Sequence, residues 1–345
     1  YSGTSLTIVA TNIYSGISKF LLLAIPFFVL SGNIMAKAGI STRLIRFVDT
    51  CVGHRKGGIA NVCIIVACFF GAISGSGPAT VAALGAVLIP AMVERGGFSA
   101  AFSTALMATS SSIAIVIPPS IAFVVYASIT GVSIGDMFMA GIIPGILMGL
   151  ALVVVVMLEV RRNHVVPSTV EKASAKERWN AFKDAFWGFL MPVIILGGIY
   201  GGIFTPTEAA AVSVVYGLFV GMVIYREVSI RDMFDILVDS AKTTGGIMLI
   251  VASASLFSFV CTKFGIADAA SNLLGSIAHN QFIFLLIVNI IFLIAGCFID
   301  ANSAMYIFIP IMLPVCKALG YDIVAFGVMA TVNLAIGQVT PPVGV

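Results

Sequence analysis

Residues 74–80 read Ser-Gly-Ser-Gly-Pro-Ala-Thr and sit between two apolar runs, Ile59–Ser74 and Ala79–Val93. Each run is somewhat shorter than the roughly 17–25 residues a helix needs to cross a bilayer, so the pair reads as a hairpin that enters the hydrocarbon and returns to its own side. The tip leaves carbonyls outside helical bonding and adds three hydroxyls, Ser74, Ser76 and Thr80. Such backbone cannot face lipid; at membrane depth it persists only when buried in protein or lining a wet cavity, where its oxygens can hold a cation.

The rest of the chain supports that setting. Of 345 residues, 60% are hydrophobic and only 10% charged, with a mean hydropathy of +1.12, whereas about a quarter of the residues in soluble domains are charged. Further apolar runs cover Phe20–Ala36, Phe98–Ile117, Ile121–Thr130, Ile134–Leu158, Phe186–Phe204, Ala209–Tyr225, Gly245–Val260, Phe282–Ile299, Ser303–Val315 and Ile323–Val339. The net charge of +3 lies in a few short loops, so it reports topology and leaves no footprint for nucleic acid. The cysteines Cys51, Cys63, Cys68, Cys261, Cys297 and Cys316 form no CxxC pair, which argues against a metal cage or a disulfide framework. His54, His164 and His279 fall in loops, no HExxH occurs, and Ser76 has no base nearby in sequence; these features argue against an enzyme.

Lys and Arg concentrate in Lys37–Lys56 and Glu159–Asp184, which places both stretches on the cytoplasmic side. Parity between them requires Phe98–Thr130 to cross once, as a helix broken at Pro118-Pro119, before Ile134–Leu158 returns. Carried forward, the count brings the paired runs of Phe282–Val315 in from the outside. Phe282–Ile299 could also just span, which would put Asp300 in a surface loop. Thr205-Pro206-Thr207-Glu208 has capping-box spacing with proline at the first helical position, so Glu208 reads as a cap. Ser229–Lys242 alternates apolar and charged residues, as an interfacial amphipathic helix or an ordinary connector would.

The halves repeat. Pro90 and Pro314 align at an offset of 224 (314−90), which also places Ser76 on Asp300. Met107-Ala108-Thr109 matches Met329-Ala330-Thr331, Pro118-Pro119 matches Pro341-Pro342, and Lys37-x-Gly39-Ile40 matches Lys263-x-Gly265-Ile266. Matches in register, joined to opposite charge-derived orientation, describe the inverted repeat of a secondary transporter with its site near the midplane. The expected fold is an all-α polytopic membrane protein with an inverted-topology repeat, two re-entrant hairpins and two broken helices.

Tip and break together supply candidate oxygen ligands for Na⁺. In the first half these are Ser74, Ser76, Gly77, Thr80, Thr109, Ser110 and Ser112; in the second they are Asp300, Asn302, Ser303, Thr331, Asn333, Gly337 and Thr340. Helix N-termini exposed at such breaks favour an anion between the halves, and Ser76, Pro78, Ser111, Asp300, Asn302 and Gln338 are the candidate substrate residues. Small residues also let membrane helices approach closely, the competing reading of each Ser. The spacing Gly141-x₃-Gly145-x₃-Gly149 and the pair Gly217-x₃-Gly221 read as helix-contact faces.

Phe27-Phe28-Val29-Leu30-Ser31-Gly32, Gly71-Ala72-Ile73-Ser74-Gly75-Ser76, Ile117-Pro118-Pro119-Ser120, Gly141-Ile142-Ile143-Pro144-Gly145, Phe204-Thr205-Pro206-Thr207-Glu208-Ala209-Ala210-Ala211 and Thr340-Pro341-Pro342-Val343-Gly344 resemble stretches of one family over essentially the whole chain. It is the large membrane subunit of tripartite ATP-independent periplasmic (TRAP) transporters. The resemblance implies an elevator-type, Na⁺-coupled permease of the bacterial inner membrane, with no cofactor beyond the coupling ion. It implies three partners: a small four-helix membrane subunit, a soluble periplasmic binding protein and the organic acid that protein delivers. The tip Gly75-Ser76-Gly77-Pro78-Ala79-Thr80 is more similar to the sialic-acid branch, which points to N-acetylneuraminate, with a C4-dicarboxylate as the rival. The implied division is a scaffold span and arm over 1–58, a first transport repeat over 59–130, scaffold spans over 131–244, a second-repeat span and arm over 245–280, and a second transport repeat over 281–345. The family pattern implies further sequence beyond both ends. A channel or structural membrane subunit is the competing function class.

Overall fold

The computed structural model describes residues 6–162, 172–277 and 280–342; His164, His279 and the Val343-Gly344 end of the last motif lie outside them. All regular structure among the described residues is helical. The order is α1 Leu6–Ile17, α2 Ala24–Lys37, α3 Ile40–Val52, α4 Gly58–Ser74, α5 Gly77–Glu94, α6 Ala100–Ser112, α7 Ile121–Thr130, α8 Ile134–Arg162, α9 Ala175–Tyr200, α10 Pro206–Leu218, α11 Ile230–Lys263, α12 Ile266–Ile277, α13 Gln281–Gly296, α14 Ala301–Ala318 and α15 Ile323–Gly337. Among the described residues, 7 stretches are long and apolar enough to cross a membrane, so the protein is polytopic.

Local sequence sets several helix starts. Ser174 with Glu177, Thr205 with Glu208, and Ser229 with Asp232 each form a reciprocal capping box, satisfying amides that a helix leaves orphaned. Glu208 therefore caps α10, as its spacing predicts. Gly39 and Gly265 hold φ of 67° and 68°, the left-handed region glycine enters without penalty. Each turns a long helix into the arm that follows, α2 into α3 and α11 into α12.

Sidedness follows from contacts. With 29 residues, α8 is about 43 Å long at 1.5 Å per residue. Its last turns lie against Gly57, where a Cβ would meet Val160 Cγ2 at 2.8 Å. Gly57 precedes α4, so α8 ends where the first hairpin begins, and Thr130, just before its start, lies a helix length away. The α6–α7 segment thus crosses once. Arg95 Nη2 sits 2.9 Å from Asp49 Oδ2, which ties the return end of the α4–α5 hairpin to the arm preceding it. Gln281 Nε2 donates to the Leu319 carbonyl at 2.9 Å and closes the α13–α14 hairpin in the same way, so Asp300 occupies a hairpin tip and not an ordinary loop. Tyr126 OH, near the end of α7, donates to the Ile323 carbonyl at 2.6 Å. The open end of the second hairpin therefore lies opposite that of the first, and the repeat is inverted.

Ion pairs gather the basic arm on one face: Lys37 with Asp232 at 3.0 Å, Arg43 with Glu227 at 2.5 Å, and Arg46 with Asp184 at 3.5 Å. Inside, α7 is buried from Ile121 to Ser128. Between helices in lipid, close packing replaces the driving force of water exclusion. A Cβ on Gly141 or Gly145 would meet Phe123 at 2.3 Å or Ile117 at 2.4 Å, so the glycine stripe of α8 is a contact face for the broken helix.

Two expectations change. The amphipathic stretch Ser229–Lys242 and the span Gly245–Val260 are one 34-residue helix, α11. Each glycine of Gly245-Gly246 lowers helix propensity by about 1 kcal/mol, yet both keep their N–H groups, and without proline the helix continues. The division of the chain at 244/245 consequently falls inside one helix. Helix α1, with 12 residues, is too short to stand out as a membrane-length apolar run.

Candidate transport site

The first tip is stitched by its own hydroxyls. Gly75 ends α4 with φ 62°, and Ser76 opens α5 in extended conformation with no side-chain cap on the helix. Thr80 Oγ1 donates to the Ser76 carbonyl at 2.8 Å and lies 3.1 Å from Ser74 Oγ. This tip presses on the broken helix: the Ile121 amide is 3.5 Å from the Gly75 carbonyl oxygen, and a Cβ on Gly75 would lie 2.6 Å from the Pro119 carbonyl oxygen. Ser120 donates to the Ile115 carbonyl and accepts from the Phe123 amide at 3.3 Å, which caps α7 beyond the break. Thr109, Ser111 and Ser112 turn their hydroxyls onto the carbonyls of Ala105, Ala108 and Thr109 at 2.7–2.8 Å. Ser110 Oγ is buried with no hydrogen-bond partner.

The second tip solves the same problem differently. Asp300 caps α14: its Oδ2 accepts from the Asn302 and Ser303 amides at 2.9 and 3.2 Å, and Ser303 Oγ donates to its Oδ1. Asn302 Oδ1 is buried without a partner. Gly296 and Gly337 touch, a Cβ on Gly337 falling 2.6 Å from Gly296 Cα. The first half has the same crossing, where a Cβ on Gly71 falls 2.7 Å from Ala114 Cα. The Pro118-Pro119 and Pro341-Pro342 bonds are both cis.

Other candidates are directed elsewhere. Thr331 Oγ1 donates to the Gly327 carbonyl at 2.7 Å and Thr340 Oγ1 to that of Ile336 at 2.8 Å. Asn333 Nδ2 donates to Asn289 Oδ1 at 2.5 Å, clasping α15 to α13. Asn289 was missed, although a lone amide inside the apolar run Phe282–Ile299 was a readable signal.

A cavity of about 510 Å³ is lined by Gly77, Pro78, Ala108, Ser111, Ser112 and Gln338. It therefore joins the first tip, the first broken helix and the start of the second break. Among the candidate substrate residues, Pro78, Ser111 and Gln338 meet here. Ser76 instead shares with Pro78 a neighbouring cavity of about 430 Å³, faced by Asn33 and Thr243 from α2 and α11. Asp300 and Asn302 line neither cavity. Among the described residues no three His, Cys, Asp or Glu side chains cluster as for a metal; hydroxyl, amide and carbonyl oxygens are the donors on offer.

An all-helical membrane protein with two oppositely entered hairpins, each crossing a proline-broken helix, and a cavity that joins the first tip to both breaks is built as a permease. The model for the DctM component of tripartite ATP-independent periplasmic transporters matches residues 1–345, and the chain belongs to that family. It is similar to the C4-dicarboxylate TRAP transporter large permease protein DctM of Pseudomonas aeruginosa, 42% identical over 100% of this chain and 80% of that protein. It is 37% identical to the sialic acid TRAP transporter large permease protein SiaM of Vibrio cholerae, over 99% of this chain and 80% of the relative. The isethionate TRAP transporter permease protein DctMQ of Oleidesulfovibrio alaskensis is 42% identical over 98% of this chain, which covers 53% of that protein. These relatives are transporter permeases, so the chain is a TRAP large permease and not an enzyme.

Proposed function

We propose that this permease carries out Na⁺-coupled uptake of an organic acid, N-acetylneuraminate first, across the bacterial inner membrane by elevator movement of its two hairpins and broken helices. The carrying observation is the 510 Å³ cavity at the start of α5, whose first turn has no side-chain cap. Helix N-terminal amides and the dipole behind them favour a carboxylate, and the hydroxyls of Ser111 and Ser112 with the Gln338 amide suit a hydroxylated body. The volume lies within the roughly 300–1,000 Å³ of ordinary ligand sites. We assign Na⁺ to the two tips, where backbone carbonyls outside helical bonding and, at the second tip, the unpartnered Asn302 Oδ1 are the donors. A binding protein delivers the acid, and a small membrane subunit completes the complex; the length of the DctMQ relative outside the match leaves room for such a subunit in one polypeptide.

A C4-dicarboxylate is the second reading, favoured by the higher identity to DctM than to SiaM, 42% against 37%. Proteoliposome uptake with binding protein and small subunit, driven by Na⁺ and offered N-acetylneuraminate or succinate, separates the two. Uptake that proceeds equally well when K⁺ or choline replaces Na⁺ rejects the coupling; saturable downhill flux without the binding protein rejects the three-part reading in favour of a channel.

A further inference from the structure

The chain has 18 Lys and Arg residues, and only Lys19, Lys263 and Lys317 fall on the extracytoplasmic side fixed by the contacts above. Basic residues are depleted there as a rule, so two of the three converging on one place calls for a cause. Lys19 and Lys317 line the same cavity of about 530 Å³, together with Ser255, Ser258 and Tyr306. Among the described residues no carboxylate lines it. Lys19 Nζ donates to the Ser128 carbonyl at 2.6 Å, at the end of α7, and Ser128 Oγ pairs with Tyr306 OH at 3.0 Å. Two ammonium groups with three hydroxyls and no acid form a receptor for an anion that carries hydroxyls.

The cavity also bridges separate parts of the fold. Lys19 precedes α2 and the two serines sit on α11, whereas Tyr306 and Lys317 belong to the returning limb of the second hairpin. It lies at the opposite end of the molecule from the cytoplasmic arm α3.

We infer that the Lys19–Lys317 cavity is a second, extracytoplasmic binding site for the carboxylate of the transported acid, occupied between release from the binding protein and arrival at the central cavity. The inference rests on the organic-acid reading above. Its two ammonium groups repel a cation, so its occupancy does not require Na⁺. Its attraction is long-range and screened by salt, with a Debye length of about 10 Å at 0.1 M, so capture weakens as ionic strength rises.

The test uses the permease with its small subunit in nanodiscs, without binding protein, and radiolabelled N-acetylneuraminate and succinate as probes. The wild type is expected to bind one probe in two components, one requiring Na⁺ and one surviving in choline. Lys19→Gln with Lys317→Gln removes the second component and keeps the first; Lys19→Arg with Lys317→Arg restores it; Lys263→Gln changes neither. In proteoliposomes at low ionic strength the double Gln variant raises the half-saturating acid concentration at least fivefold, with maximal rate held within twofold. Choline-insensitive binding that persists in the double Gln variant overturns the inference while leaving Na⁺-driven uptake intact. Choline-insensitive binding confined to nanodiscs free of anionic phospholipid, and absent once it is included, assigns the site to a lipid phosphate and also overturns it. If the wild type shows no Na⁺-dependent component or uptake, the organic-acid reading falls first and this site with it.

Discussion

Replacing Gly75 by alanine strikes the first tip at its backbone. Gly75 holds φ 62°, a left-handed conformation that costs an L-residue about 1–2 kcal/mol. Its new Cβ would also lie 2.6 Å from the Pro119 carbonyl oxygen, a backbone atom that cannot swing aside as a flexible side chain would. The tip must then lift off the break, an overpacking term of about 1–3 kcal/mol that brings the sum to about 2–5 kcal/mol. Gly131 is the internal control: it ends α7 at φ 80° with nothing within 4 Å of a Cβ, so Gly131→Ala meets the conformational term alone. Unfolding entropy of about 2.1 cal/mol/K per residue converts each kcal/mol into about 1.4 °C for a chain of this length. Thermal unfolding followed by intrinsic fluorescence should lose about 1–3 °C in Gly131→Ala and about 3–7 °C in Gly75→Ala. Na⁺-driven uptake should fall at least about tenfold in Gly75→Ala, since a shift of about 1 Å at a positioned site is expensive, and stay above half in Gly131→Ala. Equal losses of stability and of uptake in the two variants would refute the reasoning, because the tip would then not be held against the break.

Three further outcomes are expected. Asp300→Ala removes the cap of α14 and lowers stability by about 1 kcal/mol, whereas Asp300→Asn keeps a capping oxygen and loses no more than a few tenths; both raise the Na⁺ concentration for half-maximal uptake, and unchanged Na⁺ dependence in both removes Asp300 from the cation site. Arg43 pairs with Glu227, donates to the Ala38 and Gly39 carbonyls at 3.2 and 3.1 Å, and stacks 3.8 Å over Tyr225; Arg43→Lys keeps the charge and loses the fork, costing about 1–2 kcal/mol by thermal unfolding, against about 0–1 for Glu227→Gln. Gly337→Ala drives a methyl into Gly296 Cα and should destabilise by about 1–3 kcal/mol, while Gly275→Ala, with open space around it, should not, as melting curves of the two will decide.

The sequence carried the architecture further than the site. Pro118-Pro119 and Pro341-Pro342 located both breaks, because proline removes a donor wherever it falls. Lys37-x-Gly39-Ile40 and its copy located both arms, because only glycine sits comfortably at the required φ. The unity of α11 was not legible, since in hydrocarbon a helix has no water to compete for its amides and glycine loses much of its breaking power. The direction of a hydroxyl was not legible either. Thr109, Ser111, Ser112 and Thr331 all turn back onto their own helices, a local bond any Ser or Thr in a helix can make. Asp300 reads in the sequence as a candidate ligand; its neighbours Asn302 and Ser303 supply the amides that make it a cap, and an acid just before a helix start is itself the sequence pattern of a cap.

The two tips occupy equivalent places and differ in how their helix starts are capped. Both open a helix, and an opening helix presents a partial positive charge near half an elementary unit. At α14 the chain supplies its own anion, the Asp300 carboxylate bonded to two first-turn amides. At α5 it supplies no anion: Ser76 offers no side-chain cap, Thr80 bonds the Ser76 carbonyl and Ser74, and Ser74 Oγ accepts from the Ser76 amide at 3.4 Å. An external anion brought to α14 would meet a carboxylate already in place, whereas one brought to α5 would find an unanswered pole at the mouth of the cavity. A cation meets the reverse. On the function proposed above, this difference gives the substrate carboxylate its place at α5 and adds an acid to the second of the two cation sites; the aligned tips differ as well at Gly77/Ala301, Pro78/Asn302, Ala79/Ser303 and Thr80/Ala304. Exchange of Ser76 and Asp300 should move the anion preference with the serine, and uptake that is insensitive to the exchange would show that the tips do not divide the charge between them.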